Sequence, residues 1–439
     1  MEHSLEGIPF QALSVDRWYI LGVLFIVYVI NQVDRQIMGI LLEPIKREMG
    51  ASDTQMGFLV GITFALFYAT MGIPIALLAD RSNRRNIIGW AIAIWSFMTI
   101  LCGFAQTFVQ LMLARIGVGI GEAGSNPPSQ SMISDIFPVS ERGTAMSMYA
   151  TAMNVGVMLA FLAGGWLSQY YGWRTTFLVV GVPGLIVALI VRFTIIEPER
   201  GASETRVIKA PPPGTAEVMR TMFGNHTVRH VMLGASMAAF VGYGMVIWLP
   251  AFLVRSHGLS QSEVGVTLAL LTGVAGGAGT FISGRICDRL SVRDPRWTPW
   301  IVAIAKVLTV PFTVAFFLFT DFMPALAVYL IPAFIGGFYL GPSYAMVQTL
   351  VPLRMRAVAA AISLFMMNII GLGLGPQFVG ITSDLLMPYF GGQSLRYALM
   401  ACSCLNLWAA FHFYLVSRSL GGAYEKLSLS QAEAAAVEA

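Results

Sequence analysis

Five ionisable side chains interrupt long apolar runs in this sequence: Asp34 and Arg35, Arg115 and Glu122, and Lys306. A charge inside an apolar run that is long enough to cross a bilayer is costly, so each is a candidate for a functional role. A carboxyl group in a water-poor cavity can take up a proton on one side of a membrane and release it on the other, and an arginine can bind an anion. We therefore predict Asp34 and Glu122 as the proton-coupling residues and Arg35 and Arg115 as substrate-binding residues.

Helical spacing indicates which of these side chains face each other. Arg115 and Glu122 are seven residues apart, which places them on one helix face about 10 Å from each other. Asp34 and Arg35 are adjacent, so they point in different directions and are not predicted to be partners. The alternative to proton coupling is a permanent ion-pair network that only braces the two helices. Lys306 is predicted to be an interface or snorkelling residue.

The composition places nearly the whole chain in a membrane. Of 439 residues, 56% are hydrophobic and 11% are charged, and the mean hydropathy is +0.71. Soluble proteins carry about 25% charged residues. Apolar runs near or above the roughly 20 residues that cross a bilayer recur along the whole length. They predict twelve transmembrane helices, at about 18–43, 54–79, 86–106, 109–136, 143–169, 174–196, 229–254, 262–287, 299–320, 323–350, 356–386 and 395–418.

A polar stretch with a proline run at 211–213 separates the sixth span from the seventh. We therefore predict an N-terminal six-helix bundle at 1–196, a cytoplasmic linker at 197–228, a C-terminal six-helix bundle at 229–418 and a cytoplasmic tail at 419–439. Most lysines and arginines outside the spans fall on the side of the two termini. The positive-inside rule then places both termini in the cytoplasm. The compact loops favour a bacterial inner membrane.

The two halves repeat each other in order and at nearly constant spacing. Internal repeats of this kind are typical of secondary transporters that alternate between two open states. In the repeat, the positions equivalent to Asp34, Arg35 and Glu122 are held by Gly242, Tyr243 and Gly336. The ionisable chemistry therefore belongs to the N-terminal half. The matching pairs are Gly50 and Gly258, Ser52 and Ser260, Gly57 and Gly265, Asp80 and Asp288, Arg81 and Arg289, Arg85 and Arg293, Pro128 and Pro342, Pro138 and Pro352, Arg142 and Arg356, and Asn154 and Asn368.

Two loops carry a repeated charged motif, Ala-Asp-Arg-Ser-Asn-Arg-Arg at 79–85 and Gly-Arg-Ile-Cys-Asp-Arg-Leu-Ser-Val-Arg at 284–293. They resemble the cytoplasmic loop motif of the major facilitator superfamily, and the span count and the repeat extend the resemblance over the whole chain. It implies an all-α membrane protein with the major facilitator fold, twelve transmembrane helices in two pseudo-symmetric six-helix bundles. An aspartate at a helix end can meet the positive N-terminus of a facing helix, and arginines can pair with carboxylates. The predicted cytoplasmic gate consists of Asp80, Arg81, Arg85, Arg142, Asp288, Arg289, Arg293 and Arg356; alternatively, these arginines only set the topology.

Further motifs narrow the resemblance. Ile-Asn-Gln-Val-Asp-Arg (30–35), Trp-Ser-Phe-Met-Thr (95–99) and Gly-Val-Gly-Ile-Gly-Glu-Ala (117–123) resemble the spinster family within that superfamily. Membership implies proton-driven alternating access for amphipathic lipids, such as lysophospholipids or sphingoid phosphates, with Asp34 and Glu122 as functional acids. The segment 160–165 departs from the antiporter motif expected in the fifth span, because it lacks the proline.

An amphipathic anion requires a cation for its head and an apolar wall for its chain. The cation would be Arg35 or Arg115. Tyr243, Trp248 and Tyr339 are predicted to form the wall. Asn31 and Asn126 are polar residues within spans and are predicted to line the path or to bond helices to each other. The prolines that follow Asn126 would let the fourth span bend.

The sequence does not predict an enzyme. His226 and His230 lack the carboxylate of a metalloprotease motif, and there is no phosphate-binding lysine loop. We expect no cofactor, no metal and no nucleic acid; the predicted partners are a lipid or small-molecule substrate, protons and the lipid bilayer, and the family resemblance implies a monomer. Two other cargo classes stay open. One is a small organic anion such as a sugar acid, moved by proton-coupled symport, which two arginines also suit. The other is multidrug export, which fits the aromatic wall but not the buried arginines.

Overall fold

The computed structural model describes residues 13–201 and 214–438. Within these ranges, the side chains of 13–16, 80, 139, 353, 357 and 423–438 are not described. The middle of the predicted linker and most side chains of the predicted tail therefore lie outside the described residues. So does the side chain of Asp80, which we predicted to be part of the gate.

Helices make up every regular element of the described chain. The first half contains α1 (Leu13–Met49), α2 (Asp53–Val60), α3 (Ile62–Arg81), α4 (Arg84–Phe104), α5 (Phe108–Glu122), α6 (Asn126–Ile136) and α7 (Val139–Thr194). Helix α8 (Thr215–Gly224) lies within the predicted linker and packs on the second half. That half contains α9 (His226–His257), α10 (Gln261–Leu268), α11 (Gly276–Ser291), α12 (Trp297–Leu318), α13 (Phe322–Ile335), α14 (Leu340–Leu350), α15 (Arg356–Met366), α16 (Gly375–Phe390), α17 (Ser394–Cys404) and α18 (Asn406–Glu438).

In the described ranges, nine helical stretches are long and apolar enough to cross a membrane. Two of them, Ser140–Thr194 with 55 residues and Val358–Gly422 with 65 residues, exceed a single crossing, for which about 20 residues suffice. The stretch labelled α7 holds the predicted fifth and sixth spans, which are two helices separated at Gly172, where the φ of 77° is not helical and is a conformation that glycine adopts easily. The predicted all-α fold is confirmed, and its helices are consistent with twelve crossings.

The sequence repeat has a structural counterpart at two corners. Gly50 ends α1 and Gly258 ends α9, with φ of 63° and 66°, the left-handed conformation in which glycine commonly ends helices. Ser52 and Ser260 then begin α2 and α10, each with a capping box. The repeated residues therefore build the same helix–turn–helix corner twice. We call the end of the molecule that holds these two corners the far end.

Four predicted spans are interrupted near their middle. Helix α5 ends at Glu122 and α6 begins at Asn126, with prolines in its first positions. A 3-10 turn, Gly336–Tyr339, joins α13 to α14, and wide π turns at Ala269–Ala275 and Met367–Leu374 lie between α10 and α11 and between α15 and α16. Such turns disturb the regular hydrogen bonding of a helix and are frequent at functional sites.

The two halves pack through α2 against α16, α7 against α10, and α1 against α9. The first two contacts depend on glycine. A Cβ atom added at Gly57 would lie 2.8 Å from the carbonyl oxygen of Pro376, and one added at Gly265 would collide with the carbonyl oxygen of Phe161. Because these glycines stand at the same place in the repeat, the halves meet through two equivalent seams that both reach the far end.

Candidate functional site

We define the acid–arginine cluster as Asp34, Arg35, Arg115 and Glu122, carried by α1 and α5. Arg35 donates from Nε and Nη2 to one carboxylate oxygen of Glu122, at 3.1 and 2.8 Å. Arg115 Nη1 lies 3.5 Å from the backbone carbonyl oxygen of Asp34. The structure thus brings together the four predicted residues. Arg35 pairs with Glu122 and not with Asp34, as the spacing indicated.

Asp34 differs from the rest of the cluster, because its carboxyl group is 0% exposed and accepts no hydrogen bond of standard geometry from any described residue. Its polar neighbours are Trp95 and Thr99 of α4, together with Arg115. Within the cluster, Asp34 can change its protonation state without breaking an ion pair. Glu122 cannot do so, since Arg35 is bound to it.

Arg35 lies where the two halves face each other. Its guanidinium carbon is 4.6 Å from the ring centre of Tyr68 and 5.3 Å from that of Phe64. From the second half, the hydroxyl of Tyr243 interacts electrostatically with Arg35. Glu122 occupies two of the five N–H donors of this guanidinium. Further donors therefore remain for a neighbouring hydroxyl or an anion.

Five tyrosines from both halves form a linked set beside Arg35, which we call the tyrosine group; Tyr28, Tyr68 and Tyr243 interact with Arg35 itself. Their hydroxyls interact electrostatically with one another, and all five side chains are partly buried. Tyr243 and Tyr339 were predicted as part of the wall. Tyr28 was not selected, although it precedes Arg35 by seven residues, a spacing that places both on one helix face. The members of the tyrosine group are Tyr28, Tyr68, Tyr243, Tyr339 and Tyr344.

The remaining predicted lining residues have other contacts. Asn31 is buried beside Glu122. Asn126 accepts a hydrogen bond from the hydroxyl of Tyr149 at 2.8 Å. Trp248 is fully buried and donates its indole N–H to the carbonyl oxygen of Pro376 at 2.8 Å. In this conformation Trp248 packs between α9 and α16 and does not line an open path.

Lys306 is buried inside the second half and does not snorkel to an exposed position. The residue is 3% exposed, and its ammonium group donates to the carbonyl oxygen of Gly336 at 2.8 Å. The same group lies 4.5 Å from the ring centre of Tyr339. Lys306 therefore stabilises the 3-10 turn between α13 and α14, opposite the acid–arginine cluster in the pseudo-symmetric arrangement.

At the end of the molecule with the termini, Arg84 is the centre of the first charged motif, although its neighbours were selected for the gate. Buried Arg84 donates to Glu197 and Ser131, both at 2.8 Å, and pairs with Asp135. The backbone N–H of Arg85 also donates to Glu197 at 2.8 Å. These contacts join α4, α6 and the chain after α7, all within the first half.

The other predicted gate residues differ in their exposure. Arg81, Asp288, Arg289 and Arg293 are exposed, whereas Arg142 and Arg356 are partly buried. The contacts described above for Arg84 and Arg85 do not cross between the halves. A gate at this end therefore stays a prediction. The predicted residues would form their contacts between the halves in the conformation in which this end is closed.

A second charged network, which the sequence analysis did not identify, joins the halves at the far end. Asp53 is fully buried and accepts two hydrogen bonds from Arg255, both at 2.8 Å. Lys46 and Ser383 donate to the same carboxylate, each at 2.6 Å. Arg255 also donates from Nε to Glu43 at 2.7 Å. Arg255 of α9 thus binds two carboxylates of the first half.

Asp384 on α16 completes this network from the second half. Its carboxylate accepts the backbone N–H groups of Asp53 and Thr54, at 3.1 and 2.7 Å. These groups belong to the first turn of α2 and lack partners within that helix. We call the set Glu43, Lys46, Asp53, Arg255 and Asp384 the far-end latch. The rule that identified Asp34 could have identified Asp384, because Asp384 falls within a predicted span.

The equivalent seam between α7 and α10 is linked without charge. The side-chain oxygen of Gln169 accepts the backbone N–H of Ser262 at 2.9 Å. Ser262 occupies the position in the repeat that corresponds to Thr54. Both residues lie in the first turn of a helix, α10 or α2, that packs against the opposite half. Each seam therefore has a helix N-terminus that is capped by a side chain of the opposite half.

Comparison with known proteins assigns a family to this arrangement. The model of the Major Facilitator Superfamily matches residues 24–376. A protein of Mycolicibacterium smegmatis named MFS-type efflux pump is 35% identical over 91% of this chain and 92% of its own length. The probable L-galactonate transporter of Escherichia coli is 28% identical over 90% of this chain and 88% of its own length.

The fold is also similar to a solved structure. A bacterial homologue of the human lysosomal transporter spinster, in an inward-facing and unoccupied conformation, superposes with a TM-score of 0.86. It is 32% identical in sequence, and the alignment covers 95% of this chain and 99% of that one. The likeness therefore extends over both halves.

Proposed function

Since this chain belongs to the major facilitator superfamily, whose members are transporters and not enzymes, and is similar to spinster proteins, we propose that it transports an anionic amphipathic lipid. A lysophospholipid or a sphingoid phosphate has the required chemistry. Transport is driven by protons through alternating access. Asp34 carries the proton, and Arg35 binds the head of the cargo.

The setting of Arg35 carries this proposal. Glu122 engages two of the five N–H donors of its guanidinium, and tyrosine hydroxyls from both halves interact with it. A phosphate group matches several donors that converge on one point. The rings of the tyrosine group offer an apolar surface for the adjoining chain. A cargo bound here would contact both halves, which alternating access requires.

Asp34 supports the proton-coupled part of the proposal. An ionised carboxylate that is fully buried without an ion pair is costly, so we expect Asp34 to hold a proton in the present conformation. Rearrangement of α1, α4 and α5 would bring water to it and release the proton. Arg115, next to the Asp34 backbone, would favour that release.

We infer the conformational state from the latch. The halves are joined at the far end, which is opposite to the termini. With both termini in the cytoplasm, as the positive-inside rule predicts, this is an inward-facing state. The similar spinster homologue is described by the same term.

A sugar acid is the second candidate cargo. It rests on the likeness to the probable L-galactonate transporter and on the two arginines of the cluster, which could also bind a carboxylate. Multidrug export is the third, suggested by the name of the mycobacterial relative. The buried arginines argue against cationic drugs.

The proposal is tested by uptake into proteoliposomes that contain the purified protein. We expect a labelled lysophospholipid to move only when the protein is present, and faster with an imposed pH gradient. A labelled sugar acid, measured in parallel, should stay at the level of protein-free liposomes. Gradient-driven movement of the sugar acid in place of the lipid would keep the mechanism but replace the cargo.

The role of Arg35 is tested by changing it together with its partner. Arg35→Ala alone would leave the Glu122 carboxylate buried and unpaired, which costs about 3–5 kcal/mol in stability. The double variant Arg35→Gln/Glu122→Gln avoids this cost. Because a hydrogen bond to a charged group contributes about 1.5–3 kcal/mol, we expect lysophospholipid affinity to fall about ten- to hundredfold. Glu122→Gln alone keeps an amide oxygen as acceptor for Arg35 and should bind nearly as well as the original protein. An unchanged affinity in the double variant would remove Arg35 from the site.

A further inference from the structure

The outer surface between α12 and α18 has a groove that faces away from the transport path. One part has a volume of about 390 Å³ and is lined by apolar side chains that include Trp300, Ile304 and Phe411. A second part of about 330 Å³ shares Trp300 and Ile304 with the first and reaches Asp294 and Arg296. The groove is therefore continuous from the middle of α12 to its first residues.

The depth of the groove matches one leaflet of a bilayer. Its lining extends along α12 from Trp300 to Leu308, about 12 Å at the rise of an α-helix, which is most of one half of a hydrocarbon core about 30 Å thick. Trp297 and Trp300 begin α12, and tryptophans commonly mark the boundary of the hydrocarbon. The groove thus opens at the membrane surface on the side of the termini.

Two cations lie at this opening. The guanidinium of Arg296 would be 3.4 Å from a Cβ atom at Gly421, so it reaches α18 at that residue. Arg418, one turn earlier, donates to the hydroxyl of Tyr414 at 3.4 Å. Tyr414 in turn packs edge-on against Trp300, with ring centres 5.6 Å apart. Both arginines are exposed.

Asp294 is the one acidic residue in the described lining of this opening, and one of its carboxylate oxygens already accepts a hydrogen bond. Asp294 accepts the backbone N–H of Arg296 at 2.8 Å, as a capping side chain does at the start of a helix. Arg296 and Arg418 therefore leave a net positive charge at the opening. An apolar groove of leaflet depth that ends at two arginines is complementary to an acyl chain attached to an anionic head.

We propose that this groove binds an anionic phospholipid of the bilayer leaflet on the side of the termini. One acyl chain lies along Trp300 and Phe411, and the phosphate of the head contacts Arg296 and Arg418. This lipid is not the cargo. The groove is on the outer face of α12, whereas Lys306 on the same helix turns inward to Gly336. The site is therefore independent of the proposed transport function.

The test uses the full-length protein in detergent, titrated with phosphatidylglycerol or phosphatidylcholine that carry identical brominated acyl chains. Bromine quenches nearby tryptophans, so we measure the part of the quenching that Trp300→Phe abolishes. We expect phosphatidylglycerol to bind about tenfold more tightly than phosphatidylcholine, because each arginine near the surface attracts an anionic lipid. Arg296→Gln/Arg418→Gln should remove this preference. Both side chains are exposed, so the variant keeps the core intact.

The matched control is Arg220→Gln/Arg229→Gln, which removes two exposed charges on α8 and α9 and should keep the preference for phosphatidylglycerol. Equal binding of the two lipids by the unchanged protein would overturn the anionic site. So would quenching that does not depend on Trp300, or a preference that survives the loss of Arg296 and Arg418. Lysophospholipid uptake is measured separately, so that failure here and failure of the transport proposal can be told apart.

Discussion

Asp34→Asn is expected to abolish transport driven by a pH gradient while leaving the protein folded. Asparagine has nearly the same shape as aspartate, but it cannot bind and release a proton. No described residue donates a standard hydrogen bond to the Asp34 carboxyl group, so the substitution breaks neither such a hydrogen bond nor an ion pair. Gradient-driven lysophospholipid uptake should fall to the rate measured without a gradient, whereas exchange of labelled for unlabelled cargo without a gradient should continue.

The matched control for this experiment is Glu141→Gln, which neutralises an exposed carboxylate paired with Arg17 and should leave uptake unchanged. Glu122→Gln is measured in parallel. If Asp34→Asn and Glu122→Gln both kept full gradient-driven uptake, the two acids would be structural, and the cluster would only brace α1 and α5.

Arg255→Gln is expected to open the far end. Arg255 is the only cation of the second half in the far-end latch as defined above, and it binds Asp53 and Glu43 of the first half. Removing one partner of a buried ion pair costs about 3–5 kcal/mol, and here only the closed state bears that cost. A difference of about 5.5 kcal/mol turns a ratio of 1:99 into 99:1, so the open population should rise from a minority to a large share.

Distances between spin labels measure this change. The labels are attached to cysteines that replace Tyr171 on the first half and Tyr389 on the second, both of which are exposed at the far end. The exposed Cys404 is replaced by serine to avoid unwanted labelling. The label distances should shift to longer values in Arg255→Gln. Arg47→Gln is a sharp control, because Arg47 binds the same Glu43 within one half and should leave the distances unchanged. Equal distances in all three proteins would show that the latch does not hold the closed state.

The fold was largely predictable because its signals are local. Apolar runs indicated the spans, and repeated residues such as Gly50 and Gly258 correspond to helix ends with the same left-handed conformation. The prolines after Asn126 indicated the interruption of the fourth span, which the start of α6 confirms. The break between the fifth and sixth spans lies at Gly172, in the gap between the predicted spans 143–169 and 174–196, where the φ of 77° is not helical.

The site was predictable only in part, because pairing is not local. The positions of Asp34, Arg35, Arg115 and Glu122 follow from the cost of charge in a membrane. That Arg35 binds Glu122, 87 residues away, depends on how α1 and α5 pack. The latch was missed for a related reason. Glu43, Lys46, Asp53 and Arg255 are near helix ends, where charged residues are common, and only the meeting of the halves makes them a network.

The seam between α2 and α16 and the seam between α7 and α10 cap equivalent helix starts by different chemistry. In the first seam, Asp384 and Arg255 of the second half bind groups of the first half. In the second seam, the neutral amide of Gln169 binds a backbone N–H of the opposite half. An amide that loses its partner is rehydrated at little cost, whereas separating buried ions exposes charges that must be hydrated individually. We therefore expect an asymmetric motion when the far end opens, in which the α7–α10 side parts first and the α2–α16 side acts as the hinge until its ions separate.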